Sequence, residues 1–167
     1  MAWTTPRTWT TGELVSAAQL NEQVRDNISY LKDIVYVEFT TSVTVTATVE
    51  STPTDVISSG AITYAATPIE ITFGSSSVLP AGSATASVVL HLWDGATEIG
   101  RIAHVQGSGN ATTRTPVYAT VRLTPTAGSH TYKIRAHQAG GNGTVEAGTG
   151  GVGNVLPGYI RIRGIPS

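Results

Sequence analysis

The chemistry available to this chain rests on four histidines, eleven carboxylates and one glycine-rich run. His91, His104, His130 and His137 are well separated and lack the close pairing that zinc sites use, so their spacing points to no metal. His91 lies in the apolar run Val88-Val89-Leu90-His91-Leu92-Trp93 and reads as a histidine packed on a strand. Gly148-Thr149-Gly150-Gly151-Val152-Gly153 spells G-x-G-x-x-G. That phosphate-binding pattern needs a strand before it and a helix after it. Pro157 and Gly158 follow almost at once and no helical period appears, so a flexible loop that can touch a ligand or partner is expected. No G-x-S-x-G elbow occurs. Between Thr40 and Leu90 only Glu50, Asp55 and Glu70 are charged, which is sparse for a pair of hydrolytic carboxylates. With no cysteine there is no thiol nucleophile, thiolate metal site or disulfide scaffold. The reading is a non-enzymatic chain with no assigned catalytic residue, cofactor or metal.

Such sparse chemistry shifts attention to the scaffold. The 167 residues fit one compact domain with a short appendage. Charged residues are 13%, about half the usual share, while 26 Thr, 14 Ser and 18 Gly favour strands and turns over helices. Apolar residues at 40% with a net charge of −1 argue against disorder. An isoelectric point near 6.4 argues against a nucleic-acid partner. No apolar run is long enough for a spanning helix, and the first residues lack the apolar core of a signal peptide, so no membrane insertion is expected.

From Val35 the apolar period is two. Val35, Val37, Phe39, Val43, Val45, Ala47 and Val49 share one parity and Thr dominates the other, giving one long strand or two broken near Thr41-Ser42. Further strands are expected at Asp55–Ile57, Ala61–Tyr64, Pro68–Phe73, Thr85–Trp93, Thr97–Val105, Pro116–Leu123, His130–His137 and Tyr159–Ile165. Asp94-Gly95 signals a tight hairpin and Ala127-Gly128-Ser129 a turn. The expected fold is mainly β: an antiparallel β-sandwich over residues 35–167, jelly-roll-like or immunoglobulin-like, preceded by an extended arm and one N-terminal α-helix in residues 1–34. Residues 1–90 hold three Lys/Arg against eight Asp/Glu, and residues 91–167 seven against three. Strands from both halves interleaving in one sandwich would cancel that asymmetry; complementary faces between protomers are the other reading.

The N-terminal segment carries a different signal. Ser16 and Gln19 form a capping box, with Val15 and Leu20 placed for a hydrophobic staple, and the helix should run from about Ala17 to Asp33. Its apolar positions Leu20, Val24, Ile28 and Leu31 form a narrow stripe, better suited to a coiled-coil seam than to a broad core face. Trp3 and Trp9 lie on the arm, outside the expected sandwich, as aromatic anchors for this domain or a neighbour.

Residues Pro6 to Lys32 resemble the N-terminal signature of small virion structural proteins of tailed bacteriophages. The match falls on Trp9, Gly12, Glu13, Val15, Ala17, Leu20, Asn21, Val24, Arg25, Asp26, Asn27 and Leu31, with Ser16 where the family has Thr. The β-rich remainder is similar in style to the trimeric jelly-roll heads of phage appendages. The resemblance implies a tail-associated fibre or minor tail protein, or else a capsid decoration protein or head fibre. It implies as partners further copies of the chain, as a homotrimer, other virion proteins and a host surface glycan. Trp3, Trp9, Leu20, Val24, Arg25, Asp26, Asn27, Ile28 and Leu31 would be the attachment residues. A non-catalytic carbohydrate-binding module is the rival reading, although only Trp93 among the tryptophans lies in an expected strand.

Overall fold

The structure is a computed structural model that describes residues 7–26, 28, 33–109 and 113–165. Ser16 caps α1 (Ala17–Leu20): its hydroxyl accepts from the Gln19 N–H, and the Gln19 amide oxygen accepts from the Ser16 N–H, completing the expected capping box. The expected helix is not α-helical throughout. It widens to a π-helix over Asn21–Asp26, and a strand already begins at Asp33. Short helices owe their regularity to packing of an apolar face, and no residue of α1 is buried.

Twelve strands occur among the described residues: β1 (Asp33–Phe39), β2 (Val43–Val45), β3 (Thr54–Ser58), β4 (Ile62–Ala65), β5 (Ile69–Leu79), β6 (Ser87–Asp94), β7 (Thr97–Gln106), β8 (Thr115–Leu123), β9 (Ala127–His130), β10 (Tyr132–Ala139), β11 (Gly143–Glu146) and β12 (Gly158–Gly164). All pairings are antiparallel. In the larger sheet β8 pairs β5, β5 pairs β12 and β12 pairs β1; β11 and β2 extend the β12 and β1 columns. The smaller sheet runs β3-β10-β6-β7, and β4-β9 forms a separate ribbon. Reading columns, the orders are β1-β12-β5-β8 and β3-β10-β6-β7. The chain crosses between sheets at every step except the β6–β7 hairpin. That is the eight-column arrangement of a jelly roll, which decides against the immunoglobulin-like alternative.

The core follows from strand alternation. In β12, Gly158, Ile160 and Ile162 face inward while Tyr159, Arg161 and Arg163 face out; β10 alternates in the same way. Ile69, Ile71, Phe73, Leu90, Leu92, Ile134, Ile160 and Ile162 fill the space between the sheets. The central strands β5 and β6 are buried on both faces, so polar side chains cover their outer rows.

Three expectations on the β-elements change. The run from His130 to His137 is two strands, because β9 pairs with β4 while β10 joins the smaller sheet. The break at Thr131 is pinned by Asp94, whose carboxylate accepts the Thr131 N–H at 3.2 Å. Ala127-Gly128-Ser129 is therefore strand rather than turn. Strand β11 lies inside the glycine-rich stretch, where glycine masks its alternation.

Glycine is required where the β5–β6 connection passes. A Cβ on Gly107 would collide with the Ser83 carbonyl oxygen, and one on Gly140 would lie 2.9 Å from the Ala86 Cα. The expected loop at 148–153 is present as a tethered turn. Gly150 N–H donates to the Val155 carbonyl at 3.1 Å and Asn154 N–H to the Gly151 carbonyl at 3.2 Å, with Val152 fully exposed at the tip.

Candidate functional site

Three surfaces carry the functional side chains. The first is the N-terminal arm. Arg7 N–H donates to the Gln23 side-chain oxygen at 2.9 Å, the Arg7 guanidinium pairs with Glu13 at 2.5 Å and lies 4.7 Å over the Trp9 ring. The arm thus folds back along its own helical segment. Leu20, Val24 and Ile28 are 53%, 45% and 55% exposed, and Trp9 40%. Among the described residues, the stripe positions Leu20, Val24 and Ile28 form an uncovered apolar row. Trp3, Asn27 and Leu31 lie outside the described residues, as do the side chains of Arg25 and Asp26.

The second surface is the outer face of the larger sheet. The register places Tyr118, Gly74 and Tyr159 opposite one another across β8, β5 and β12. The Tyr159 ring overlies Gly74: a Cβ there would sit 2.6 Å from Tyr159 Cε1. The missing side chain leaves a groove of about 220 Å³, walled by Tyr118, Tyr159, Leu156, Pro116 and Ser76. Tyr118 is 69% exposed, and Tyr36 pairs with Tyr159 at 5.6 Å between ring centres. In a neighbouring row Glu70 is buried between Arg122 and Arg163 at 3.0 and 2.5 Å. Burial alone pushes its carboxyl up, but the two guanidiniums outweigh that and hold it below the usual range.

The third surface is the outer face of the smaller sheet, and sequence reading missed it. His91 on β6 is fully buried beneath polar neighbours. Its Nδ1 lies 2.7 Å from Glu98 Oε1 on β7 and 3.4 Å from Glu50 Oε1 on the connection after β2. Its Nε2 lies 2.9 Å from His137 Nδ1 on β10. Arg101 holds Glu50 through two nitrogens at 2.6 and 3.2 Å, and its hydrogen bond takes that carboxyl down to about 2. The available signal was shared parity: Lys133, Arg135 and His137 alternate with the core residues of β10, and His91 and Trp93 alternate with those of β6. Alongside, Arg135 pairs with Asp55 and lies 4.8 Å over Trp93. The pairs Glu50–Arg101, Asp55–Arg135, Glu70–Arg122 and Glu70–Arg163 each join the acidic half of the sequence to the basic half. The charge asymmetry is thus matched by pairing within one chain.

Two histidines respond to pH in opposite directions. The hydrogen bond that His130 Nδ1 donates to the Asp94 carboxylate, 2.5 Å, raises the His130 pKa above 6.5. This pair stabilises fully below about pH 6.5 and loses its effect as pH rises through the elevated folded value. Burial, then the neighbouring His91, lowers the His137 pKa. Its contribution is intact above about pH 6.5 and decays as pH falls toward the lowered folded value. His130→Gln should therefore cost most at pH 5.5 and His137→Gln most at pH 8, each by about 1 kcal/mol or less. Urea midpoints across that range measure both, and equal costs at the two pH values would refute the assignment.

The fold and these surfaces define a jelly-roll β-sandwich preceded by a helical segment whose described apolar residues are exposed. No protein-family model matches the chain, and no curated protein does. Among solved structures it is similar to the C-terminal domain of EclA, a sugar-binding protein, at 14% identity over 75% of each chain with a TM-score of 0.36. It is also similar to a carbohydrate binding module of Cellvibrio mixtus lichenase 5A in complex with cellotriose, at 20% identity over 82% of this chain and 92% of that one, TM-score 0.35. A pentameric capsid protein from metagenomic phage sequences matches at 16% identity over 95% and 82%, TM-score 0.36.

Proposed function

We propose that this chain is a structural protein of a bacteriophage particle. Its arm and helical segment attach it to the particle or to further copies of itself, and its jelly roll is displayed outward. The observation that carries this reading is the row Leu20, Val24 and Ile28, apolar and half-exposed on a segment that resembles the virion-protein signature. Such a row gains its stabilisation only when another chain covers it. The finer assignment is a tail-associated fibre or minor tail protein acting as a homotrimer, with a capsid decoration protein or head fibre as the rival position. Light scattering after size exclusion tests the self-association: a mass near three times 17.4 kDa is expected for the full chain. A monomer at every concentration would overturn the trimer. Immunogold label on the tail supports the finer assignment, and label on the capsid transfers it to the rival.

One observation favours a second activity, contact with a host surface glycan through the groove over Gly74. Exposed tyrosines offer an apolar ring face with a polar tip, the combination suited to a ligand that is wet on its edges and apolar on its faces. Tyr118→Ala is expected to lower retention on a glycan array at least tenfold without changing the fold, since its side chain is mostly exposed. Absence of any retained glycan by the unaltered chain would remove this activity.

A further inference from the structure

We infer that His91, Glu98 and Glu50 form a binding site for a divalent transition-metal ion of the zinc class, with Arg101 holding the site in its ion-free form. The three ligand atoms, one from each residue, lie within 4.8 Å of one another. They come from β6, β7 and the connection between β2 and β3, segments that the fold alone brings together. A metal bound by imidazole nitrogen and carboxylate oxygen takes Zn–N and Zn–O distances of about 2.0–2.2 Å. The 3.4 Å between His91 Nδ1 and Glu50 Oε1 already suits two ligands of one ion, and the 2.7 Å to Glu98 needs only a small outward shift. The mixed nitrogen and oxygen set selects a first-row transition ion over calcium or magnesium, which prefer oxygen alone. Three protein ligands leave one tetrahedral position for water or an incoming group, and both carboxylates reach the surface.

His137 acts behind the ligands. In the ion-free chain the Glu98 carboxylate accepts a hydrogen bond from His91 Nδ1, which therefore carries hydrogen. With the metal on Nδ1, the hydrogen of the ring resides on Nε2 and is donated to His137 Nδ1, now 2.9 Å away. This is the outer-shell hydrogen bond that orients ligating histidines elsewhere. Arg101 competes with the ion, since its guanidinium occupies both oxygens of Glu50. It is more than half exposed and free to swing into solvent when an ion arrives. The bound ion would tie the β2–β3 connection to the β6–β7 hairpin.

Calorimetric titration of the full chain with zinc chloride tests the site. One ion per chain is expected, with affinity falling at least about tenfold in Glu98→Gln and in Glu50→Gln and rising severalfold in Arg101→Gln. Nitrogen-15 spectra should show hydrogen leaving His91 Nδ1 as zinc is added. Glu50 and Arg101 are surface groups, so these variants keep their fold, and circular dichroism checks this. No saturable binding below about 100 µM in either the unaltered chain or Arg101→Gln would overturn the inference. Unchanged affinity in a Glu50→Gln, Glu98→Gln double variant would do the same, as would calcium binding as tightly as zinc.

Discussion

Phe73→Ala is expected to cost about 4 kcal/mol of stability. Phe73 is central on β5, 1% exposed, and faces the gap between the sheets. Ile71, Leu92, Ile102, Ala119, Val121 and Ile134 line the same interior region with it, from five strands. Of these strands β5, β6 and β10 are held by ladders on both sides and cannot collapse into the vacated volume, so the cavity term adds to the lost transfer term. Against a typical total of about 5–15 kcal/mol, the variant would be marginal at best. Urea unfolding should show a strongly reduced midpoint with an unchanged slope. A loss below about 1.5 kcal/mol would mean that the two sheets close over the gap.

Ile28→Asp is expected to lower self-association by about a hundredfold or more and to leave the sandwich intact. Ile28 is 55% exposed, so its replacement costs the isolated chain little. In an assembled seam the same carboxylate would be buried without a partner, and an unpaired buried charge costs several kcal/mol per subunit. Light scattering at matched concentrations reads the association, and thermal melting followed by circular dichroism reads the sandwich. A melting temperature lowered as much as that of a core variant would show that the stripe belongs to the jelly roll after all. The same mass as the unaltered chain would show that the stripe is not the seam.

Much of the scaffold was legible because strand alternation is local. The parity of Val35, Val37 and Phe39, and that of Val43 and Val45, marked this stretch as one long strand or two broken near Thr41-Ser42, and the structure has the two, β1 and β2. Asp94-Gly95 marked the β6–β7 hairpin and Ser16 with Gln19 the helix start. The widening to a π-helix over Asn21–Asp26 was not legible, because helical periodicity describes an apolar face and does not distinguish an α-helical from a wider turn. Strand β11 was missed because Gly143 contributes no side chain to the pattern. It is glycine because a Cβ there would strike the Val88 side chain. The His91 cluster was illegible for a different reason. Glu98 reaches His91 across the local β6–β7 hairpin, but His137 and Glu50 join them only through the pairing of β10 with β6, 46 positions apart, and through the reach of Glu50 across the sheet, neither of which local spacing encodes.

The uneven distribution of glycine contacts also determines where the protein tolerates foreign sequence. The β5–β6 connection is hemmed in by Gly107 and Gly140, at positions where even a methyl group meets backbone, so that end of the barrel accepts no enlargement. At the turn around Val152, Gly151 and Gly153 have positive φ and no neighbour close enough to obstruct a new side chain's backbone, and the ladder resumes only at Gly158. A peptide spliced at Val152 would project into solvent with both ends held by β11 and β12, which makes this tip the natural display position of the scaffold.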